Sequence, residues 1–331
     1  MTDLSTYYMG LPVPSPIIAA SSTLTSSPVC IAELARNGAG AVVLNSLFEE
    51  EIVVELNRRK ESLNALNINH PEVLEFYEKL DVDEILNDYL KLIFEAKKSV
   101  DIPIIASINC VSPGKWHYFA KYLQEAGADG LELNIFTLPA DMETSGQVYE
   151  EAALEIIRNT MAELNIPVCV KISPYYSGLG NMISQIDSLG VKGITLFNRF
   201  FKPDLNLDEM TIGAGPVYTD PSEYLNTLRW VGLVAGKVEC DIYASGGIHD
   251  GLTAAKMLAA GAQGVQVASA MYRNGLSCLP EIIKGLSNWM ESKGFEGIND
   301  FRGMLSHNKI NNPAAYMRVQ FLKTFAGKAE K

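Results

Sequence analysis

The sequence predicts a parallel (β/α)8 TIM barrel, and three observations predict it. A short pattern recurs four times: Gly38-Ala-Gly-Ala-Val-Val-Leu44, Gly127-Ala-Asp-Gly-Leu-Glu-Leu133, Gly190-Val-Lys-Gly-Ile-Thr-Leu196 and Gly261-Ala-Gln-Gly-Val-Gln-Val267. Each copy follows a helix-period stretch. Its first glycine suits a left-handed helix C-cap, and the apolar run behind it suits a strand buried on both faces. Between the copies lie four more apolar runs, Ile17–Ala20, Ile104–Ile108, Val168–Ile172 and Ile242–Ser245, preceded by the breakers Pro16, Pro103, Pro167 and Asp241. Eight strands alternating with helical stretches are the pattern of a parallel barrel. The last two strands run into Ser245-Gly-Gly247 and Ala268-Ser269, and turns of small residues after strands 7 and 8 commonly cradle phosphate in such barrels.

The elements follow in order. Strand 1 ends in Ala19-Ala-Ser-Ser22 and strand 2 in Asn45-Ser46. The stretch Leu47–Asp83 then departs from the βα rhythm before the helix Glu84–Ser99, and carries Glu49-Glu-Glu51, Arg58-Arg-Lys60 and Asn64-Ala-Leu-Asn-Ile-Asn69. A loop of that length in a compact domain reads as a lid or binding loop. Strands 3, 4 and 5 end in Asn109-Cys110, Asn134 to Thr137, and Lys171 to Ser173. Strand 6 ends in Asn198-Arg199 and opens a second excursion, Phe200–Thr219. The tail Phe295–Lys331 is mixed and partly helical, suited to packing across the barrel or at a subunit contact. No linker divides the chain, so residues 1–331 read as a single barrel domain with a long loop after strand 2 and a C-terminal extension.

Composition limits the function. With 47% hydrophobic and 20% charged residues the chain is ordinary globular protein. A net charge of −12 argues against broad nucleic-acid binding or attraction to anionic membranes. The five cysteines are scattered, with no Cys-x-x-Cys pair, so neither a disulfide framework nor a zinc or iron–sulfur site is signalled. No secretory signal and no membrane-length apolar run is visible, and a cytoplasmic protein is expected.

Barrel chemistry sits at the carboxyl ends of the strands. Four of the eight strands finish in or just before an asparagine and one finishes in a lysine, with no carboxylate pair, histidine cluster or metal set in the ring. Asparagine offers donor and acceptor together, which suits a flat, amide-edged heterocycle, and a buried lysine stabilises negative charge on such a ring. Each asparagine alone reads equally well as a strand-end or turn residue.

On these residues the chain resembles the dihydroorotate dehydrogenase family, FMN-dependent barrel oxidoreductases, and within it the soluble cytosolic branch. The resemblance is carried by Gly38-Ala-Gly-Ala-Val-Val, Leu131-Glu-Leu-Asn134, Val170-Lys-Ile-Ser-Pro174 and Gly246-Gly-Ile with Gly261-Ala-x-x-Val-Gln-Val-Ala-Ser-Ala270, in order and spacing, over about Leu11 to Met290. It implies FMN across the barrel mouth, with the phosphate on Gly246, Gly247, Ala268 and Ser269 and Lys171 at the N1/O2 side of the ring. It implies that Ala19, Ala20, Asn45 and Ser46 line the flavin and that Asn134 is shared between flavin and substrate. Asn64 and Asn198 would hold the pyrimidine ring and its carboxylate. The family reaction takes a proton from C5 of dihydroorotate while C6 gives a hydride to flavin N5. A homodimer is expected by the same analogy, and the electron acceptor (fumarate, a quinone or a partner flavoprotein) is left open.

The chain departs from the family on the substrate side. The base position holds Thr137 within Phe136-Thr-Leu-Pro139, and a hydroxyl can serve there only with a proton relay. Thr137 therefore reads as the base or as a packing residue. The family lysine after strand 2 is Asn45, Pro139 replaces an asparagine, and Asn198 is followed by Arg199, a replacement cation or a solvated surface residue. A Gly-Gly turn is replaced by Gly213-Ala-Gly-Pro216. Three other functions stay open. One is an FMN oxidoreductase with a non-pyrimidine substrate, and another a non-catalytic flavoprotein. The third is a flavin-free phosphosugar lyase or synthase with Lys171 as Schiff-base lysine.

Overall fold

The computed structural model describes residues 2–48, 86–110, 116–200 and 202–317. Eight parallel strands form the centre: β1 (Ile17–Ala19), β2 (Ala41–Val43), β3 (Ile104–Cys110), β4 (Gly130–Ile135), β5 (Val168–Ile172), β6 (Gly193–Leu196), β7 (Asp241–Ser245) and β8 (Gly264–Val267). They pair in chain order, and β8 pairs with β1 through Val265 opposite Ile17, so the sheet closes on itself. Beyond β2 the short run Leu47–Phe48 returns to β3, with Leu47 opposite Ile108. The expected (β/α)8 barrel is the observed one. β3 and β4 run to Cys110 and Ile135, within the strand ends expected, which carries Asn109 and Asn134 on paired strand.

The repeated glycines act as read from sequence. Gly38, Gly127, Gly190 and Gly261 have φ of +89°, +99°, +84° and +119°, so each stops the preceding helix and turns the chain into an even-numbered strand. At Gly261 the N–H donates back to Met257 and Leu258, closing helix Gly251–Ala260.

Side chains alternate between two apolar environments. Ile17, Val42, Ile104, Leu131, Val170 and Ile194 face the helical ring, whereas Ile18, Val43, Ile105, Cys169 and Tyr243 face the barrel axis. The amino end of the axis is plugged by a hairpin, Thr6–Tyr8 against Leu11–Val13, not expected from sequence, which inserts Tyr8, Met9 and Val13. Tyr243 fastens it, accepting the Met9 N–H at 2.6 Å and donating to Asp241 at 3.0 Å. Gly193 makes room for that ring, since a Cβ there would lie 2.3 Å from Tyr243 Cε2.

The excursion after β6 contains a second, fully exposed hairpin, Pro203–Asn206 against Thr211–Ala214. The described part of the C-terminal extension buries Ile298 and Phe301 against Leu258, Leu286 and Met290. It thus packs on helices Gly251–Ala260 and Cys278–Lys293 and not across the mouth. No helix of the described residues is long and apolar enough to cross a membrane.

Candidate active site

The same alternation that packs the barrel brings Glu132 and Asn134 of β4, Lys171 of β5, Thr195 of β6 and Gln266 of β8 onto the axis. Glu132 is wholly buried. One of its oxygens accepts from the Gln266 amide and from the Thr195 hydroxyl (3.3 Å). The other has no hydrogen bond, and Lys171 Nζ lies 3.6 Å from it. Lys171 donates to Gln266 Oε1 at 2.8 Å, and Gln266 in turn donates to Tyr8 OH at 3.0 Å. The lysine is thus fixed from below by a carboxylate and an amide oxygen while its outer side borders the open cleft. Burial, and then the Glu132 charge, push the Tyr8 phenol and the Cys169 thiol well up, so both stay neutral.

Above this layer lies a cleft of about 270 Å³. Asn109 and Asn134 line it and carry buried carbonyl oxygens without a hydrogen-bond partner. Buried acceptors left open in a protein interior call for a donor, and the N–H edge of a flavin or pyrimidine is one. Ser46 Oγ joins Ser21 (3.1 Å) to Ser107 (2.8 Å), and the Ser107 N–H donates to the Tyr89 hydroxyl at 2.9 Å. The Asn198 amide donates to the carbonyls of Ile135 (3.4 Å) and Lys171 (3.3 Å), bracing the ends of β4, β5 and β6. Phe136 forms an aromatic wall, stacked on Phe200 at 4.1 Å, with Tyr175 edge-on to Phe200 at 5.2 Å.

At the other end of the cleft, Gly246 and Gly247 have φ of +96° and +72°. The two glycines serve different needs. A Cβ on Gly247 would meet the Tyr224 nitrogen at 2.3 Å, so that position is small because a helix start lies against it. A Cβ on Gly246 would meet nothing within 4 Å, and the residue lines the cleft. Among the described residues no acceptor takes the N–H of Gly246, Gly247, Ala268 or Ser269. The helix that follows, Gly251–Ala260, is capped by its own Asp250, which accepts from Thr253 N–H at 2.7 Å. Free donors for an anion therefore come from the two turns and not from that helix start.

Of the residues expected at the site, Ala20, Asn45 and Ser46 line one side of the cleft, and Asn134, Lys171 and Asn198 line the floor and opposite side. Gly246, Gly247, Ala268 and Ser269 line the third. Ala19 is buried within β1 and contributes no lining; Ala20 is the residue that reaches the cleft. Thr137 is half-buried two residues beyond β4 and does not line the cleft, which Phe136 does. Asn64 lies outside the described residues. Arg199 lines the cleft but is neither free nor merely solvated: it donates to the carbonyls of Pro216 (2.7 Å) and Val217 and lies 3.5 Å from Glu223.

A family model described as dihydroorotate dehydrogenase matches residues 3–290. The chain belongs to that family. It is similar to the catalytic subunit of dihydroorotate dehydrogenase B (NAD(+)) of Thermoplasma acidophilum, 25% identical over 92% of this chain and 99% of the other. The corresponding subunit of Methanothermobacter thermautotrophicus is 26% identical over 91% and 98%. A protein of Aeropyrum pernix, named as a candidate dihydroorotate dehydrogenase A (fumarate), is 29% identical over 64% of this chain and 71% of its own length.

Glu132 and Gln266 are not among the residues expected from the sequence, although their signal is present in it. Each is a polar residue at an inward position of an otherwise apolar strand, two residues from another axial position. Thr219 carried no such signal, because it reaches the cleft from an irregular segment.

Proposed function

We propose that the protein holds FMN across the barrel mouth and oxidises dihydroorotate, or a related dihydropyrimidine, to orotate in pyrimidine metabolism. The observation that carries this reading is the buried Lys171–Glu132–Gln266 layer, whose Lys171 and Gln266 line the same cleft as Asn109 and Asn134 with their unpaired carbonyl oxygens. The relatives' names support the substrate, and family membership supports a flavin. Bound there, FMN supplies the acceptor for the hydride that leaves C6 of the substrate.

The chain's own residues do the rest. Lys171 presents a fixed positive charge where negative charge develops on the ring. Asn109 and Asn134 accept ring N–H groups. Gly246, Gly247, Ala268 and Ser269 offer N–H donors to the phosphate, and Ala20, Asn45 and Ser46 form the wall beside the ring. Asn134, Asn198 and Asn64 hold the substrate, and the base position is that of Thr137, whose side chain does not line the cleft and must turn toward it to take the C5 proton. The Thr137 hydroxyl has no partner among the described residues, so a proton passing through it leaves by way of water.

We place the activity in a single domain spanning residues 1–331, in a cytoplasmic homodimer. Electrons then pass to fumarate, a quinone or a partner flavoprotein. Asn45 and the engagement of Arg199 by carbonyls favour, as a second reading, an FMN oxidoreductase with another planar substrate. A Schiff-base role for Lys171 is disfavoured, because its ammonium is engaged by Gln266 and Glu132. Orotate formation from dihydroorotate with a dye as electron acceptor tests the proposal; a flavin-loaded protein that forms none contradicts it.

A further inference from the structure

The anion end of the cleft holds side chains to which the turn glycines alone assign no role. Thr219 is only 4% exposed and lines the cleft. Its N–H donates to Ser269 Oγ at 3.0 Å, and its Oγ1 lies 3.0 Å from His249 Nε2. The segment carrying it is tied down on two sides. Arg199 grips the carbonyls of Pro216 and Val217, and Tyr218 stacks on Tyr272 at 5.1 Å. Elements following β6, β7 and β8 thus converge on one hydroxyl beside the unpaired N–H groups of Gly246 and Ser269.

A threonine hydroxyl has one proton to give. When His249 Nε2 is an acceptor, that proton is spent on the imidazole ring. When Nε2 carries hydrogen, the ring donates to Oγ1 and the Thr219 proton is free for an anion. Imidazolium carries hydrogen on Nε2 in every case. The charged groups facing His249 are Arg273 from the helix after β8, Asp220 beside Thr219, and Asp250 at the end of its own turn. Burial, and then Arg273, hold the free imidazole below its ordinary value against the two aspartates.

We propose that Thr219 is a direct ligand of the cofactor phosphate and that His249 is the positioning residue that presents its hydroxyl, so that phosphate binding is linked to proton uptake at His249. This rests on the FMN reading above. A bound phosphate favours the ring form that donates to Thr219 and adds a countercharge to the imidazolium. Affinity therefore rises as pH falls through the titration of the ring.

The test is fluorescence titration of the flavin-free protein with FMN and, separately, with riboflavin, which lacks the phosphate. Thr219→Val should weaken FMN about tenfold, the scale of one charge-assisted hydrogen bond, and leave riboflavin affinity unchanged. His249→Gln keeps an N–H donor for Thr219 but cannot titrate. It should match the native protein at about pH 8 and fall progressively behind it as pH drops through and below the ordinary imidazole range, toward a limit of about tenfold for a one-unit linkage. His249→Ala should be weaker than native at both. The second ionisation of the phosphate, near pH 6, is common to all variants and cancels in the comparison. A preference for FMN over riboflavin that Thr219→Val leaves undiminished, or an FMN pH profile identical in native and His249→Gln, overturns the inference alone. Protein that binds neither compound overturns the cofactor reading and the inference with it.

Discussion

Removing the axial lysine should reveal how strongly the barrel depends on it. Glu132 is wholly buried, and Lys171 Nζ lies 3.6 Å from its otherwise unbonded oxygen. At an effective dielectric of about 20, two unit charges at that separation attract by about 4–5 kcal/mol. The two partners differ in what is left behind. Lys171→Met strands a carboxylate with no route to water, and breaking a buried pair in this way costs about 3–5 kcal/mol. Glu132→Gln leaves an ammonium that keeps its 2.8 Å bond to Gln266 and borders the cleft, where water reaches it, so the cost is about 1–3 kcal/mol. The double variant strands neither charge and should cost less than the sum of the two by at least about 2 kcal/mol. Urea unfolding of the four flavin-free proteins near neutral pH measures the cycle. Single-variant losses that add to within about 0.5 kcal/mol, the behaviour of independent sites, would refute the claim that these residues form one charge-balanced unit.

Other outcomes follow from the same geometry. Thr137→Ala should abolish reduction of the bound flavin by dihydroorotate in anaerobic stopped-flow while leaving flavin content intact, and Thr137→Ser should retain it. Gly247→Ala places a Cβ 2.3 Å from the Tyr224 nitrogen at a φ of +72° and should lower both the melting temperature and the flavin content. Gly246→Ala, with φ +96° but open space around it, should cost only about 1 kcal/mol. Asp241 has its carboxyl raised, chiefly by burial, against the opposing Tyr243 hydrogen bond. A raised folded value means the native state holds the proton more tightly. Stability on this account falls as pH rises from the unfolded carboxyl range through the folded one. Asp241→Asn should therefore be neutral or stabilising at pH near 7, with its advantage vanishing at acid pH in parallel melting curves.

The barrel was legible because its signals are local and repeated. A left-handed glycine followed by a doubly buried strand is a property of a dozen residues, and four copies set the count. The turns that close one end of the cleft were legible because each is a pair of small neighbours, Gly246-Gly247 after β7 and Ala268-Ser269 after β8. The N-terminal plug was not, because Thr6–Tyr8 and Leu11–Val13 are too short to show alternation, and they acquire meaning only when Tyr8 meets Tyr243 and Gln266. Arg199 was misjudged in part for a similar reason. Its acceptors are backbone carbonyls at 216 and 217, which have no residue-type signature. Thr137 stands at the base position of the motif two residues beyond β4, where its neighbour Phe136 is the residue that lines the cleft.

The most direct measurement is an anaerobic titration of the purified, flavin-loaded protein with dihydroorotate, followed in the flavin absorbance band. The yellow colour should be lost as orotate forms, one equivalent for each flavin. A protein that carries FMN and stays yellow under excess dihydroorotate would contradict dihydroorotate as its substrate.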